Sequence, residues 1–313
     1  MADPKRRPVI LDTDIGTDVD DTWALALIMR SPELELKAIT TVTYDTMFRA
    51  RLSAKLLDTE GHPPVPIGLG PVTSQETKYN CQQEWTGDFP LDNYKAPLVR
   101  DAAGLIIDLV RQSPEPVVLM GIGPFSNIAE VVRRAPDVVE KTDFIGLGGS
   151  VFRQYFGKPG HCREYNILMD APAATAVFKA KWHSMLLSPL DTCGNIILRG
   201  ERYEQLKASS DPLAKAVMEN YFLWRKFRLQ HFPGDPACTP ETASSLIADT
   251  AAVALCVNPG LAEIETVPLS VSAAGETLVD EVNGTPVPCA LNWHNVEDFY
   301  DFAAFRLLKR IVR

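Results

Sequence analysis

The chain has 313 residues, 46% of them hydrophobic and 23% charged. That is ordinary globular composition, which excludes a disordered or fibrous chain, and no apolar run reaches the roughly 18 residues that a membrane helix needs. A net charge of −9 argues against nucleic acid as a partner. The opening MADPKRRPVILD has no long apolar stretch, so no signal peptide is read and a cytoplasmic location is expected. The six cysteines are scattered, without a CxxC pair, which predicts free thiols in a reducing compartment.

Short apolar runs alternate with helical patterns along the chain. PVIL (8–11) predicts a buried strand, DDTWALALIMRS (20–31) a helix with aspartates at its positive end, and LKAITTV (36–42) a second strand. RARLSAKLLDTEG (49–61) predicts a helix stopped by Gly61. PVVLMGIG (116–123) and FIGLGGS (144–150) are strands running into glycine turns, with the FSNIAEVVRRAP helix between them. SMLLSPLD (184–191) is a further strand, and 261–271 and 277–293 are strand-like, with a hairpin expected at Asn283-Gly284. A closing helix covers 294–313. Strand–helix alternation predicts an α/β fold with a mostly parallel, Rossmann-like central sheet flanked by helices. With no linker or internal repeat, one domain over 1–313 is expected. In such sheets ligands bind beyond the carboxyl ends of the strands.

The strongest signal is LDTDIGTDVDDTWALAL at 11–27, which places Asp12, Asp14, Asp18, Asp20 and Asp21 within ten positions directly after a strand. So much like charge in one turn is unfavourable unless a cation neutralises it. A solvated acidic loop would account for one or two of these aspartates but not for five. The EF-hand pattern fails, because Gly16 and Trp23 stand at ligand positions, and thiolate or imidazole ligands are missing. Ca²⁺ or Mg²⁺, ions that prefer oxygen ligands, remain.

DTDIGTDVDD resembles the aspartate signature of the inosine-uridine-preferring nucleoside hydrolases, DxDxGxDD, with two extra residues before the Asp20-Asp21 pair. GIGPFSNIAEVV (121–132), GLGGS (146–150) with CREYNILMDAPAATAVF (162–178), and SLIADTAAVAL (245–255) resemble three later family segments in the same order. The resemblance implies hydrolysis of ribonucleosides to free base and ribose, nucleoside salvage, and a homodimer or homotetramer. It implies Ca²⁺ held by Asp14, Asp21, the Ile122 carbonyl and Asp249, with the ribose 2′- and 3′-hydroxyls and a water completing the shell. Asp14 would also take a proton from that water. Asp20, Glu164 and Asn166 would bind the ribose, and Asp12 and Asp18 would support the metal ligands. The chemistry suits these residue types. Breaking an N-glycosidic bond builds positive charge on the sugar, which carboxylates stabilise. Ca²⁺ accepts about seven or eight oxygens, enough for a diol and a water together.

Several segments depart from the family. Ala248 stands where well-studied members have a histidine, and CQQEWTGDF near 81–89 contains none. TYDT (43–46) replaces a Gly-Asn, which predicts Asp45 beside the substrate. The base-handling parts therefore differ while the metal and ribose parts match. Tyr221, Arg225, Arg228 and His231 share one helical face, and Tyr221 or His231 is predicted to contact the leaving base. Trp85, Trp224 and Trp293 are expected to be packing residues, Asn127 a helix cap, and Asp249 a cap that also ligates. Two alternatives stay open. One is a Mg²⁺-dependent phosphohydrolase of the haloacid-dehalogenase type, since VILDTDIGT superficially resembles its DxDx(T/V) signature. The other is a nucleoside- or ribose-binding homologue without turnover, motivated by the missing histidines.

Overall fold

The computed structural model describes residues 6–232 and 239–309. One ten-stranded sheet organises them, in the order β4-β3-β2-β1-β5-β6-β7-β10-β8-β9. The strands are β1 (Arg7–Thr13), β2 (Leu34–Thr41), β3 (Ile67–Leu69), β4 (Leu98–Val99), β5 (Val117–Gly121), β6 (Thr142–Leu147), β7 (Ser184–Ser188), β8 (Ala262–Val271), β9 (Thr277–Val279) and β10 (Thr285–Trp293). β1 to β7 pair in parallel, and β10 joins β7 in parallel, while β8 pairs antiparallel with both β10 and β9. The expected α/β architecture with a mostly parallel sheet is therefore present.

Helices cover both faces, as parallel sheets require. Alternate β1 side chains feed the two resulting cores. Val9 and Leu11 pack with the helices Asp20–Met29, Thr46–Glu60, Pro212–His231, Thr250–Val257 and Val296–Leu307. Ile10 packs with Ala102–Gln112, Ser126–Arg134 and Ala171–Lys179. The Asp20–Met29 helix is apolar on all sides, and every residue from Asp21 to Ile28 is buried, as befits a helix enclosed by other helices.

Two sequence expectations differ. β3 and β4 were not foreseen, because three and two residues are too few to show a strand period. The Asn283-Gly284 hairpin does not form. β9 pairs only with β8, whereas β10 lies on the other side of β8. The Asp280 carboxylate accepts the Val282 and Asn283 amides at 3.1 and 2.9 Å. This wider turn carries the chain from one side of β8 to the other. The closing helix ends at Leu307, and 310–313 lie outside the described residues.

The chain runs outward from β1 to β4 and then returns to β5 on the other side of β1. Strand order thus reverses at β1, and the chain after β1 and the chain after β5 lead to helices on opposite faces of the sheet. This is where an open α/β sheet forms a ligand crevice.

Candidate active site

The loop after β1 contains the aspartate cluster, and its path is fixed by close packing. Gly16 has φ +112°, and a Cβ there would lie 2.5 Å from the Phe48 ring. Gly123, after β5, comes so close that a Cβ would meet the Asp14 amide nitrogen at 2.9 Å. The outer part of the loop is tied to the segment 79–82. Thr17 Oγ1 donates to the Tyr79 carbonyl at 3.1 Å, Cys81 N to the Gly16 carbonyl at 2.9 Å, and Gln82 Nε2 to the Asp18 carbonyl at 2.8 Å. Gln82 is fully buried, and its Oε1 accepts from Thr22 Oγ1 at 2.7 Å.

Beyond these strand ends lies a cavity of about 410 Å³. Asp14, Asp18, Asp20, Asp21, Ile122, Glu164, Asn166 and Asp249 all line it. Oxygens from Asp20, Asp21 and Asp249 lie within 4.8 Å of one another. Thr13 Oγ1 holds one oxygen of Asp21. Asp249 opens the Thr250–Val257 helix, yet its side chain makes no capping bond, so capping does not occupy its carboxylate.

Burial pushes these acids toward their neutral forms. Asp14 rises to about 6, by loss of solvent and then by the Asp18 charge. Asp20, Asp21 and Asp249 are raised well above the usual carboxylate range, by burial first and then by neighbouring negative charge, foremost that of Asp18 at Asp20, of Asp14 at Asp21 and of Asp20 at Asp249. The Arg49 guanidinium opposes the rise at Asp14 and Asp21. Its own hydrogen bonds go elsewhere, to the Ile15 and Thr43 carbonyls at 2.7 and 2.9 Å and to the Thr17 and Thr43 hydroxyls at 3.0 and 3.1 Å. Several buried carboxylates facing one cavity, with oxygen as the only donor type, suit a cation such as Ca²⁺ or Mg²⁺.

Other predicted residues are placed as follows. Asp12 is fully buried beneath the cavity, with Oδ1 accepting from Thr40 Oγ1 and from Asn127 Nδ2 at 2.8 Å. Burial raises its carboxyl to about 7, and its Oδ2 has no partner. Asn127 therefore holds Asp12; it does not cap its helix, whose N-terminus has no side-chain cap. Glu164 caps the short helix Tyr165–Met169, accepting from the Gly149, Asn166 and Ile167 amides at 2.9, 2.9 and 3.1 Å. Burial raises it to about 7. Asn166 Nδ2 donates to the Ile122 and Leu147 carbonyls at 3.0 and 3.1 Å. Asp18 is an exposed rim residue that accepts the Val19 amide at 2.7 Å.

Three predicted residues do not reach the cavity. Asp45 caps the Thr46–Glu60 helix, and Phe48 N donates to its carboxylate at 2.9 Å. Tyr221 is fully buried against Trp23, and its hydroxyl donates to the Ala243 carbonyl at 3.0 Å. His231 is exposed, stacked on Phe227, with Nδ1 2.9 Å from the Phe227 carbonyl. The helix instead turns Trp224 and Arg228 into the cavity wall, so Trp224 is more than a packing residue. Tyr155, Phe156 and Tyr165 complete the aromatic lining. Helical spacing groups Trp224 with Arg228, but no pattern in the sequence says which stripe of a mostly buried helix faces a cavity. Arg49 likewise looks like an ordinary helix arginine until its burial is seen.

A sequence profile of the family described as inosine-uridine preferring nucleoside hydrolase matches residues 9–301. The chain is 27% identical to the inosine-uridine preferring nucleoside hydrolase of Crithidia fasciculata, over 91% of each chain. It is 28% identical to the pyrimidine-specific ribonucleoside hydrolase RihA of Citrobacter koseri, over 77% of this chain and 79% of that one. Among solved structures, the fold is similar to that of a purine-preferring ribonucleoside hydrolase from Gardnerella vaginalis. That match has TM-score 0.78 and 23% identity, and covers 98% of this chain and 100% of the other. A match of this extent leaves the phosphohydrolase alternative without support.

Proposed function

The chain belongs to the inosine-uridine preferring nucleoside hydrolase family, and on that premise we propose that it hydrolyses the N-glycosidic bond of ribonucleosides with Ca²⁺ bound and with Asp14 as general base. The observation that carries this reading is the buried, oxygen-only group of carboxylates at the strand-order reversal, open to a cavity of about 410 Å³. Asp14, Asp21, Asp249 and the Ile122 carbonyl are the proposed ligands, with Asp20 close enough to Asp21 and Asp249 to share the ion's charge. When bound, the ion supplies positive charge that acidifies water and orients a sugar diol. Asp14 takes the proton from the attacking water, as a carboxylate that lines the cavity beside the proposed ion. Asn166 and Glu164 order the wall against which the ribose lies, and Asp20 accepts from its hydroxyls. The remaining carboxylates stabilise the positive charge that develops on the sugar ring. We read residues 1–313 as one domain, supported by the single sheet. A cytoplasmic homodimer or homotetramer is the matching expectation for the intact protein. No helix among the described residues is long and apolar enough to cross a membrane.

The test is a panel of inosine, uridine, cytidine and adenosine scored for free ribose, with chelator and with Ca²⁺ restored. Ribose release that chelator abolishes and Ca²⁺ restores is expected. Nucleoside binding with no ribose after hours would move the protein to the binding-homologue reading.

A further inference from the structure

The cavity lining divides into two chemistries. Asp14, Asp20, Asp21, Asp249 and Glu164 are acidic and suit sugar hydroxyls, which donate hydrogen bonds. Tyr155, Phe156, Trp224, Leu246 and Ala248 are without charge and suit a flat base. Among the described lining residues Arg228 carries the sole positive charge. It follows Trp224 by four positions, its guanidinium carbon 5.9 Å from the Trp224 ring and 4.4 Å from the Phe232 ring. It therefore belongs to the uncharged, aromatic part of the wall. No histidine lines the cavity among the described residues. Tyr165 Oη donates to Tyr44 Oη, and Tyr155 Oη accepts the Tyr165 amide, both at 3.2 Å, so the Tyr155 hydroxyl proton is the rival donor that Tyr155→Phe removes.

We propose that Arg228 stabilises the departing nucleobase as an anion, so that the leaving group needs no proton donor from the protein. The inference rests on the hydrolase reading above. An arginine stays charged at any working pH and offers in-plane N–H donors. As the C1′–N bond breaks, its electron pair goes to the base nitrogen, where the guanidinium meets the new negative charge. Water supplies hydroxide to C1′ and its proton to Asp14. The released base anion takes a proton from solvent, and Asp14 returns its own, so the products are ribose and neutral base.

The test compares wild type, Arg228→Gln, Arg228→Lys and Tyr155→Phe on the best nucleoside of the panel and on p-nitrophenyl riboside, whose leaving group is stable as an anion. Losing one donor to developing negative charge costs about 10²–10³-fold. Arg228→Gln should lower nucleoside kcat by about 10²-fold and p-nitrophenyl riboside kcat by less than about threefold. Arg228→Lys should recover about tenfold by restoring charge. Tyr155→Phe should not reproduce this split. The wild-type nucleoside kcat should show no descending limb between neutral pH and about pH 9, since arginine does not titrate there. Equal loss on both substrates, no loss on either, the same split in Tyr155→Phe, or an alkaline limb that persists in Arg228→Gln would each overturn the proposal while leaving the hydrolase reading intact. A wild type that releases ribose from neither substrate would overturn both.

Discussion

Arg49→Met tests whether a buried cation inside the protein shapes the acidic site. The guanidinium is 1% exposed in its residue and makes four hydrogen bonds, two to carbonyls and two to hydroxyls. Methionine fills much of the same volume but leaves the Ile15 and Thr43 carbonyls without these donors. A buried acceptor left unsatisfied costs about 1–3 kcal/mol, and the two hydroxyls can rotate to other partners. Relief from burying the guanidinium offsets part of the loss, so a net destabilisation of about 2–5 kcal/mol is expected. The bonds also brace strained backbone, since Thr43 and Tyr44 have φ of 60° and 47°. The metal supplies a second signature. Arg49 favours ionised Asp14 and Asp21, so it stabilises the metal-free cluster and repels a cation bound to it. The destabilisation should therefore be larger in chelator than in saturating Ca²⁺. Urea unfolding followed by circular dichroism under both conditions measures this. A loss below about 1 kcal/mol in chelator would refute the bracing role, and equal losses in both conditions would refute the electrostatic one.

Asp14→Asn should fold with an unchanged circular dichroism spectrum but lose about 10²–10⁴ in turnover, the usual cost of a lost general base; near-wild-type ribose release would place water activation elsewhere. In chelator, stability should fall as pH rises from about 4.5 to about 7. The folded Glu164 carboxyl, raised from 4.5 to about 7, keeps a proton that the unfolded chain loses across that window, an effect of about 3 kcal/mol. Melting temperatures at pH 5 and pH 8 read it, and a higher value at pH 8 in chelator would contradict it. Gly16→Ala forces a side chain into φ +112° and into the Phe48 ring, so a loss of about 1–3 kcal/mol is expected. Adding Phe48→Leu should recover only the steric part, by the same unfolding measurement.

The strands that build the site can be read in the sequence for a physical reason. β1 and β5 are sandwiched between helix layers, so each appears as a short continuous apolar run, Val9–Leu11 and Val117–Met120, followed by Asp-Thr or Gly. The acidic cluster is legible because five like charges after a strand make little sense without a counter-charge. What the sequence does not carry is the direction in which polar side chains point. Asp45 and Asp249 both precede helices. Asp45 spends its carboxylate on the Phe48 amide, whereas Asp249 makes no such bond and faces Asp20 and Asp21. Likewise, helical spacing puts Tyr221 and Arg228 about two turns apart on one face. Only tertiary packing buries the first against Trp23 and turns the second to the cavity.

The two extra residues between Gly16 and Asp20 show how a departure in sequence can leave a site in place. A longer loop could displace the aspartate pair from the start of its helix. Here the added length is taken up at Thr17–Asp18, which projects to the rim. Six hydrogen bonds from outside the loop hold it there: from Cys81, from Gln82, to Tyr79, two from Arg49 (to the Ile15 carbonyl and the Thr17 hydroxyl) and one from Trp224 Nε1 to the Thr17 carbonyl at 3.2 Å. Trp224 is itself part of the cavity wall. The same residue therefore anchors the loop that carries the carboxylates and forms the surface proposed for the base. Because of that coupling, a change at Trp224 reaches both the loop that carries the carboxylates and the surface proposed for the base.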